Sequence, residues 1–293
     1  MAVRSVSAKI RKAPGLPHGA PRLPRGTLGG QGGGQARVHP TALIDPEAQL
    51  DSTVEVGPYA VIGPDVRIGP RTSIGAHAVV EGYTTIGSDC QIFTGAVIGS
   101  IPQDLKYAGE KSELIIGNRN RFREYVTVNP GTKGGGGKTV IGSDCLLMAY
   151  AHVAHDCLVG DRVIIANSAA LAGHIAVEEG AVIGGLVGIH QFVRVGTLAM
   201  IGGCSRVVQD VPPYSTCVGY PAKVFGLNSE GLRRAGVSAQ TKESLHKAFR
   251  VLFHSGLSMS HALEQVAQDA NHAPEVRHLL TFIRQSKRGV CRA

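Results

Sequence analysis

"IGPDVRIGPRTSIGAHAV", residues 62–79, puts Ile at 62, 68 and 74, one aliphatic residue in every six. Extended in both directions, the same step runs Val38, Ile44, Leu50, Val56, Ile62, Ile68, Ile74, Val80, Ile86, Ile92, Ile98, eleven positions without a miss. A second run of twelve starts at Ile141 and ends at Val207. A period of six suits neither a 3.6-residue helix nor a long alternating strand. It fits short strands joined by sharp turns, each strand pointing an aliphatic side chain inward, which is the hexapeptide parallel β-helix. Three hexads close one triangular coil of eighteen residues. Successive coils then stack at the strand spacing of about 4.8 Å.

The composition agrees. The 293-residue chain is 43% hydrophobic but only 5% aromatic, with 39 Gly and no Trp. A core of Val, Ile, Leu and Ala suits stacked identical layers. The net charge of +8 suggests nucleic acid until its distribution is read. Arg4, Lys9, Arg11, Lys12, Arg22, Arg25 and Arg37 lie in residues 1–37, which hold no acid; the rest of the chain has 23 basic residues against 22 acids. Nucleic-acid binding is therefore not expected. The acid-free, Arg-, Pro- and Gly-rich segment 1–37 reads as a disordered organelle transit peptide, mitochondrial by preference. A plastid, or the cytoplasm if the segment does not target, are the alternatives. No run of eighteen apolar residues exists, so no membrane span is expected. The six cysteines include no Cys-x-x-Cys pair and read as small buried residues in a reducing compartment.

The expected organisation is mainly β. A parallel β-helix covers 38–226, with excursions near 99–115 and 129–140, where "GSIPQDLKYAGEKSELI" and "NPGTKGGGGKTV" break the hexads. A small α-helical domain follows at 227–293. There Leu245, Ala248, Phe249, Leu252 and Phe253 form one helical stripe, with Ser238 as N-cap and Gly256 as stop. Excursions from a rigid repeat are natural carriers of binding groups.

Four of the twelve histidines crowd into 152–190. Val153, Leu171 and Ile189 are eighteen apart, so His152, His155, His174 and His190 are expected on one edge of three adjacent coils. Three readings are open: structural hydrogen bonding at coil corners, a zinc site with an open position for water, or a general base. Asp156 directly follows His155, and a carboxylate beside an imidazole fixes its tautomer.

The ordered set "IPQDLKYAGE", "AHVAHDC", "LAGH", "GIHQF", "GGCSRVVQDVPPY" and "FGLNSEGLRRAG" resembles the acyl-[acyl-carrier-protein]–UDP-N-acetylglucosamine O-acyltransferases of lipid A synthesis, over about 38–288. That resemblance implies a left-handed β-helix and a homotrimer with sites between prisms. It implies transfer of a (R)-3-hydroxyacyl group from acyl carrier protein to the 3-hydroxyl of UDP-N-acetylglucosamine, and calls for no cofactor and no metal. His155 would be the base, Asp156 its orienter, and the Gly173 N–H an oxyanion donor. Gln103, Asp104, Lys106, His152, His174, His190 and Gln191 would line the substrate site. Asn228, Glu230 and Arg234 would hold the nucleotide end, and Gly203 would set acyl length. Ala235 and Pro221 stand where some members carry a basic residue and His. The basic end "RQSKRGVCRA" is a candidate docking surface for an acidic carrier. A zinc carbonic anhydrase of the β-helix type and a non-catalytic trimeric scaffold are the rival readings. The related amine-directed acyltransferase is disfavoured, because 37 residues cannot supply its extra N-terminal domain.

Overall fold

The computed structural model describes residues 36–268 and 273–293; the leader proposed for 1–37 lies almost wholly outside them. Arg37 itself already belongs to the first strand, Arg37–Val38. From there the chain winds through three parallel sheets as a left-handed β-helix. One face stacks from Arg37–Val38 to Met200–Ile201, the second from Leu43–Ile44 to Arg206–Val207, the third from Gln49–Leu50 to Arg194–Val195.

The register explains the hexads. Val38 pairs with Val56 and Ile74 with Ile92, a step of eighteen. From Val54 onward each hexad buries two positions, the periodic aliphatic and the residue two before it: Ala60 with Ile62, Ala78 with Val80, Ala151 with Val153. The periodicity shows only the first of these, because the second is often Ala or Cys. Many corners take left-handed backbone, which costs a non-Gly residue roughly 1–2 kcal/mol. They recur at Asp156 (φ 59°), His174 (φ 62°) and Phe192 (φ 66°), one above another. Stacking of whole layers outweighs that local cost.

Both excursions are present, with sizes that the hexad count does not show. Ile98 pairs with Val128, a step of thirty. The interval from Ile98 to Ile116 equals one full coil, yet the two residues sit on consecutive faces. The first excursion ends where strand Glu113–Ile116 begins. Val128 pairs with Val153, a step of twenty-five. The second excursion therefore adds seven residues, not one, and holds a single 3-10 turn, Lys133–Gly135.

Beyond the last coil, strands Ser215–Gly219 and Ala222–Leu227 form a hairpin. Helices α1 (Ser229–Arg234), α2 (Ala239–His254), α3 (Met259–Ala267) and α4 (Pro274–Arg284) follow. Ser238 caps α2 by accepting from the Thr241 N–H, and Gly256 takes φ 76° just after it. Leu245, Ala248, Phe249 and Leu252 are buried, while Phe253 is only partly so. The tail is stitched to the prism: His278 Nε2 lies 3.1 Å from Glu178 Oε2, and the Cys291 N–H donates to the Asp210 carbonyl at 2.8 Å. Burial raises the Cys145 thiol to about 11 and the Cys157 thiol to about 12, so both stay protonated core groups. No described helix is long and apolar enough to cross a membrane.

Candidate active site

Strand His152–Val153 ends in a corner that carries His155 and Asp156. The Asp156 side chain is fully enclosed, and the His155 side chain is 12% exposed. His155 Nδ1 lies 2.8 Å from Asp156 Oδ2. The other bonds to this carboxylate come from the second excursion. The Thr132 N–H donates to Oδ1 at 2.8 Å and the Thr132 hydroxyl to Oδ2 at 2.7 Å. In all three contacts the carboxylate serves as the acceptor. Nδ1 of His155 must then carry the proton, leaving Nε2 with its lone pair free.

One coil further along, Gly173 and His174 occupy the same corner. A Cβ on Gly173 would come within 2.6 Å of His155 Nε2, so the imidazole rests against bare backbone. The Gly173 N–H has no acceptor among the described residues. His174 stacks on Phe192 (centroids 4.4 Å apart) and meets His155 edge-on at 5.0 Å. Asp104 and Lys106, from the first excursion, face His174 and Phe192 across a cleft of about 540 Å³. Glu110 ties the two excursions together by accepting from the Lys133 N–H at 3.1 Å. Its carboxyl is held below the usual carboxylate range by backbone bonds, led by the Ala108 N–H.

The four histidines do not form one cluster. His155 and His174 share the corner, whereas His152 and His190 line a separate trough of about 420 Å³ on the adjoining face, over Ala170 and Gly188. Position within the hexad decides this: His152 lies in a strand and His190 directly follows one, Gly188–Ile189, whereas His155 and His174 sit in the turns. His152 holds Thr127 Oγ1 at 2.7 Å; burial, then the nearby His155, lower its pKa and keep it neutral. His190 is exposed, and its ring Nδ1 lies 3.2 Å from the Gln191 carbonyl oxygen. Gln103 and Gln191 are exposed beside the clefts. A Cβ on Gly203 would come within 3.2 Å of the Gly185 carbonyl oxygen, at the neighbouring corner.

Asn228, Glu230 and Arg234 are not brought to the histidines within one chain. Asn228 caps α1, accepting from the Gly231 N–H, and its amide donates to the Leu198 carbonyl at 2.8 Å. Glu230 is held at a pKa of about 2 by hydrogen bonds from Arg233 and then Arg234. Thr132 went unread in the sequence. Its only signal was the glycine run "GTKGGGG" at 131–137. A Cβ on Gly135 would overlap the Asp156 carboxylate, so the loop can close over Asp156 only with glycine there.

His155, Asp156 and His174 present ligand atoms within 4.8 Å of one another, which is the geometry behind the zinc reading. Yet Asp156 already accepts two bonds from Thr132 and one from His155. The carboxylate's acceptor positions are thus already used, and they hold the His155 ring in one orientation.

The left-handed prism places the chain among the hexapeptide-repeat proteins. Residues 47–82 and 138–173 match the bacterial transferase hexapeptide (six repeats), and residues 210–291 match UDP-N-acetylglucosamine O-acyltransferase, domain 2. The acyl-[acyl-carrier-protein]–UDP-N-acetylglucosamine O-acyltransferase of Myxococcus xanthus is 51% identical over 257 residues, 88% of this chain and 100% of that protein. The Gloeothece citriformis protein of the same name is 53% identical over 85% of this chain and 90% of its own. The solved structure of LpxA from Acinetobacter baumannii superposes with a TM-score of 0.84 at 44% identity, covering 87% of this chain and 99% of that one. The chain belongs to the acyl-[acyl-carrier-protein]–UDP-N-acetylglucosamine O-acyltransferase family.

Proposed function

We propose that the protein transfers a (R)-3-hydroxyacyl group from acyl carrier protein to the 3-hydroxyl of UDP-N-acetylglucosamine, the first step of lipid A biosynthesis. The carrying observation is the His155–Asp156 pair, with Nε2 where a Cβ on Gly173 would stand, near the Asp104–Lys106 cleft, and a Gly173 N–H without an acceptor among the described residues. Nε2 takes the proton of the sugar hydroxyl as its oxygen attacks the thioester carbonyl. Charge develops on the carbonyl oxygen, and the Gly173 N–H supports it. Collapse breaks the carbon–sulfur bond, and the carrier thiolate takes the proton back from Nε2. The products are the acylated sugar nucleotide and the free carrier thiol.

Asp104 and Lys106 bind the sugar end in this reading, with Gln103 beside them. The trough between His152 and His190, floored by Ala170 and Gly188, suits an extended hydrocarbon chain. Three copies assemble with the sites between them. Exposed Leu43 and Val61 on an otherwise flat face support that assembly. So does the distance of Asn228, Glu230 and Arg234 from the dyad, since a neighbouring prism can supply those groups. The test is mass spectrometry of a reaction containing UDP-N-acetylglucosamine and 3-hydroxyacyl carrier protein of several chain lengths. A sugar nucleotide heavier by one hydroxyacyl group is the expected product. Its absence from correctly assembled protein would overturn the proposal, and stoichiometric zinc in the same sample would favour the carbonic anhydrase reading.

A further inference from the structure

We propose that Thr132 is a positioning residue that decides which imidazole Asp156 pairs with; this rests on the reading of His155 as the base. Two imidazoles compete for one oxygen. His155 Nδ1 lies 2.8 Å from Asp156 Oδ2, and His174 Nδ1 lies 3.8 Å from the same atom. The Thr132 hydroxyl, at 2.7 Å, fills the remaining acceptor position on Oδ2, and the Thr132 N–H fixes Oδ1. The carboxylate therefore cannot swing toward His174. The clamp is built for this purpose: Thr132 is 5% exposed, Gly135 leaves room for the carboxylate, and Asp156 is held from below by its own N–H donating to Thr139 Oγ1 at 2.8 Å. Lys133, next in the loop, is anchored by Glu110 on the first excursion. The substrate excursion and the base are thus linked through one residue.

Removing the hydroxyl alone isolates its role. Thr132→Val keeps the shape and the backbone donor, and Thr132→Ser restores the hydroxyl. Imidazole nitrogen–proton correlations on the full chain labelled with 15N-histidine report the tautomer of each ring. The wild type should show His155 protonated at Nδ1, and His174 not sharing that carboxylate. In Thr132→Val the Nδ1–H population of His155 should fall as His174 competes. kcat should drop about tenfold, the scale of a small misplacement of a reacting group. KM for both substrates should stay within about twofold, because the hydroxyl removed is bonded to Asp156 and the shape of the cleft wall is kept, and Thr132→Ser should recover both signals. A Val variant with the wild-type His155 tautomer and unchanged kcat overturns the proposal. So does a wild-type spectrum with His155 protonated only at Nε2, a result that needs no variant to fold. The spectra decide the role of Thr132 even if no product forms, whereas absence of product bears on the reaction assigned above.

Discussion

Asp65 and Asp156 occupy the same place in the repeat. Each stands three residues after the inward aliphatic of the same face, Ile62 and Val153, which stack in one parallel ladder. Asp65 is exposed and has no hydrogen-bond partner among the described residues. Asp156 is enclosed and accepts three bonds. The ladder position is the same, but the corners differ in backbone, since Asp156 is left-handed at φ 59° and Asp65 is not, and the loops around them differ as well. Around Asp65 the hexads run unbroken, whereas over Asp156 the second excursion lays Thr132 and a run of glycines. The repeat supplies a rigid ladder of equivalent positions, and the interruptions turn one of them into a site.

The largest effect should come from His155→Ala, with a loss in turnover of about 10²–10⁴-fold, the usual contribution of general acid–base catalysis. His77, on another corner and stacked on Tyr59 at 5.0 Å, should tolerate Ala with full turnover. The two regions should behave alike in stability. Ile74→Ala in the first run and Leu171→Ala in the second each empty a fully buried position. Each should cost about 2–5 kcal/mol in denaturant unfolding. A cost confined to the second run would mean that the coils are not equivalent layers.

Gly135→Ala and Gly63→Ala sharpen the contrast further. Alanine at 135 pushes into the Asp156 carboxylate, and turnover should fall about tenfold or more. Alanine at 63 meets Glu81 at an ordinary 3.4 Å, and Ala154 already holds the equivalent place on the ladder. Turnover there should be unchanged. The smallest effect concerns Glu178. Burial pushes its carboxyl up, but hydrogen bonds from His278 and Thr197 outweigh this and hold it below the usual value. A carboxyl lowered in the folded state adds stability at pH above its unfolded value, and that stability is lost as pH falls through the folded value. Glu178→Gln should therefore lower the unfolding free energy at neutral pH, by less than about 1 kcal/mol for a partly exposed pair, and flatten the acid side of the stability curve.

The prism was legible because one aliphatic per hexad is a long, redundant signal. The sizes of the interruptions were not, since the eighteen-residue interval from Ile98 to Ile116 imitates a complete coil. The histidines were correctly placed in adjacent coils, but hexad spacing says nothing of direction at a corner. His152 and His155 therefore separate onto a face and an edge. The dyad was visible as neighbours in sequence. Thr132, twenty-four residues earlier, was not, because only the loop's path brings it to Asp156. The organelle reading rests on the composition of 1–37 alone, and the relatives from Myxococcus and Gloeothece are bacterial. Fusing those residues to a fluorescent protein and following it to mitochondria, plastids or neither tests that proposal.

The most direct measurement is turnover of Asp156→Asn beside Asp65→Asn, with the assembly state of both checked. If the loops make the site, Asp156→Asn loses at least about a hundredfold, because an amide no longer fixes the His155 tautomer, and Asp65→Asn matches the wild type. Equal turnover in the two variants would contradict the account.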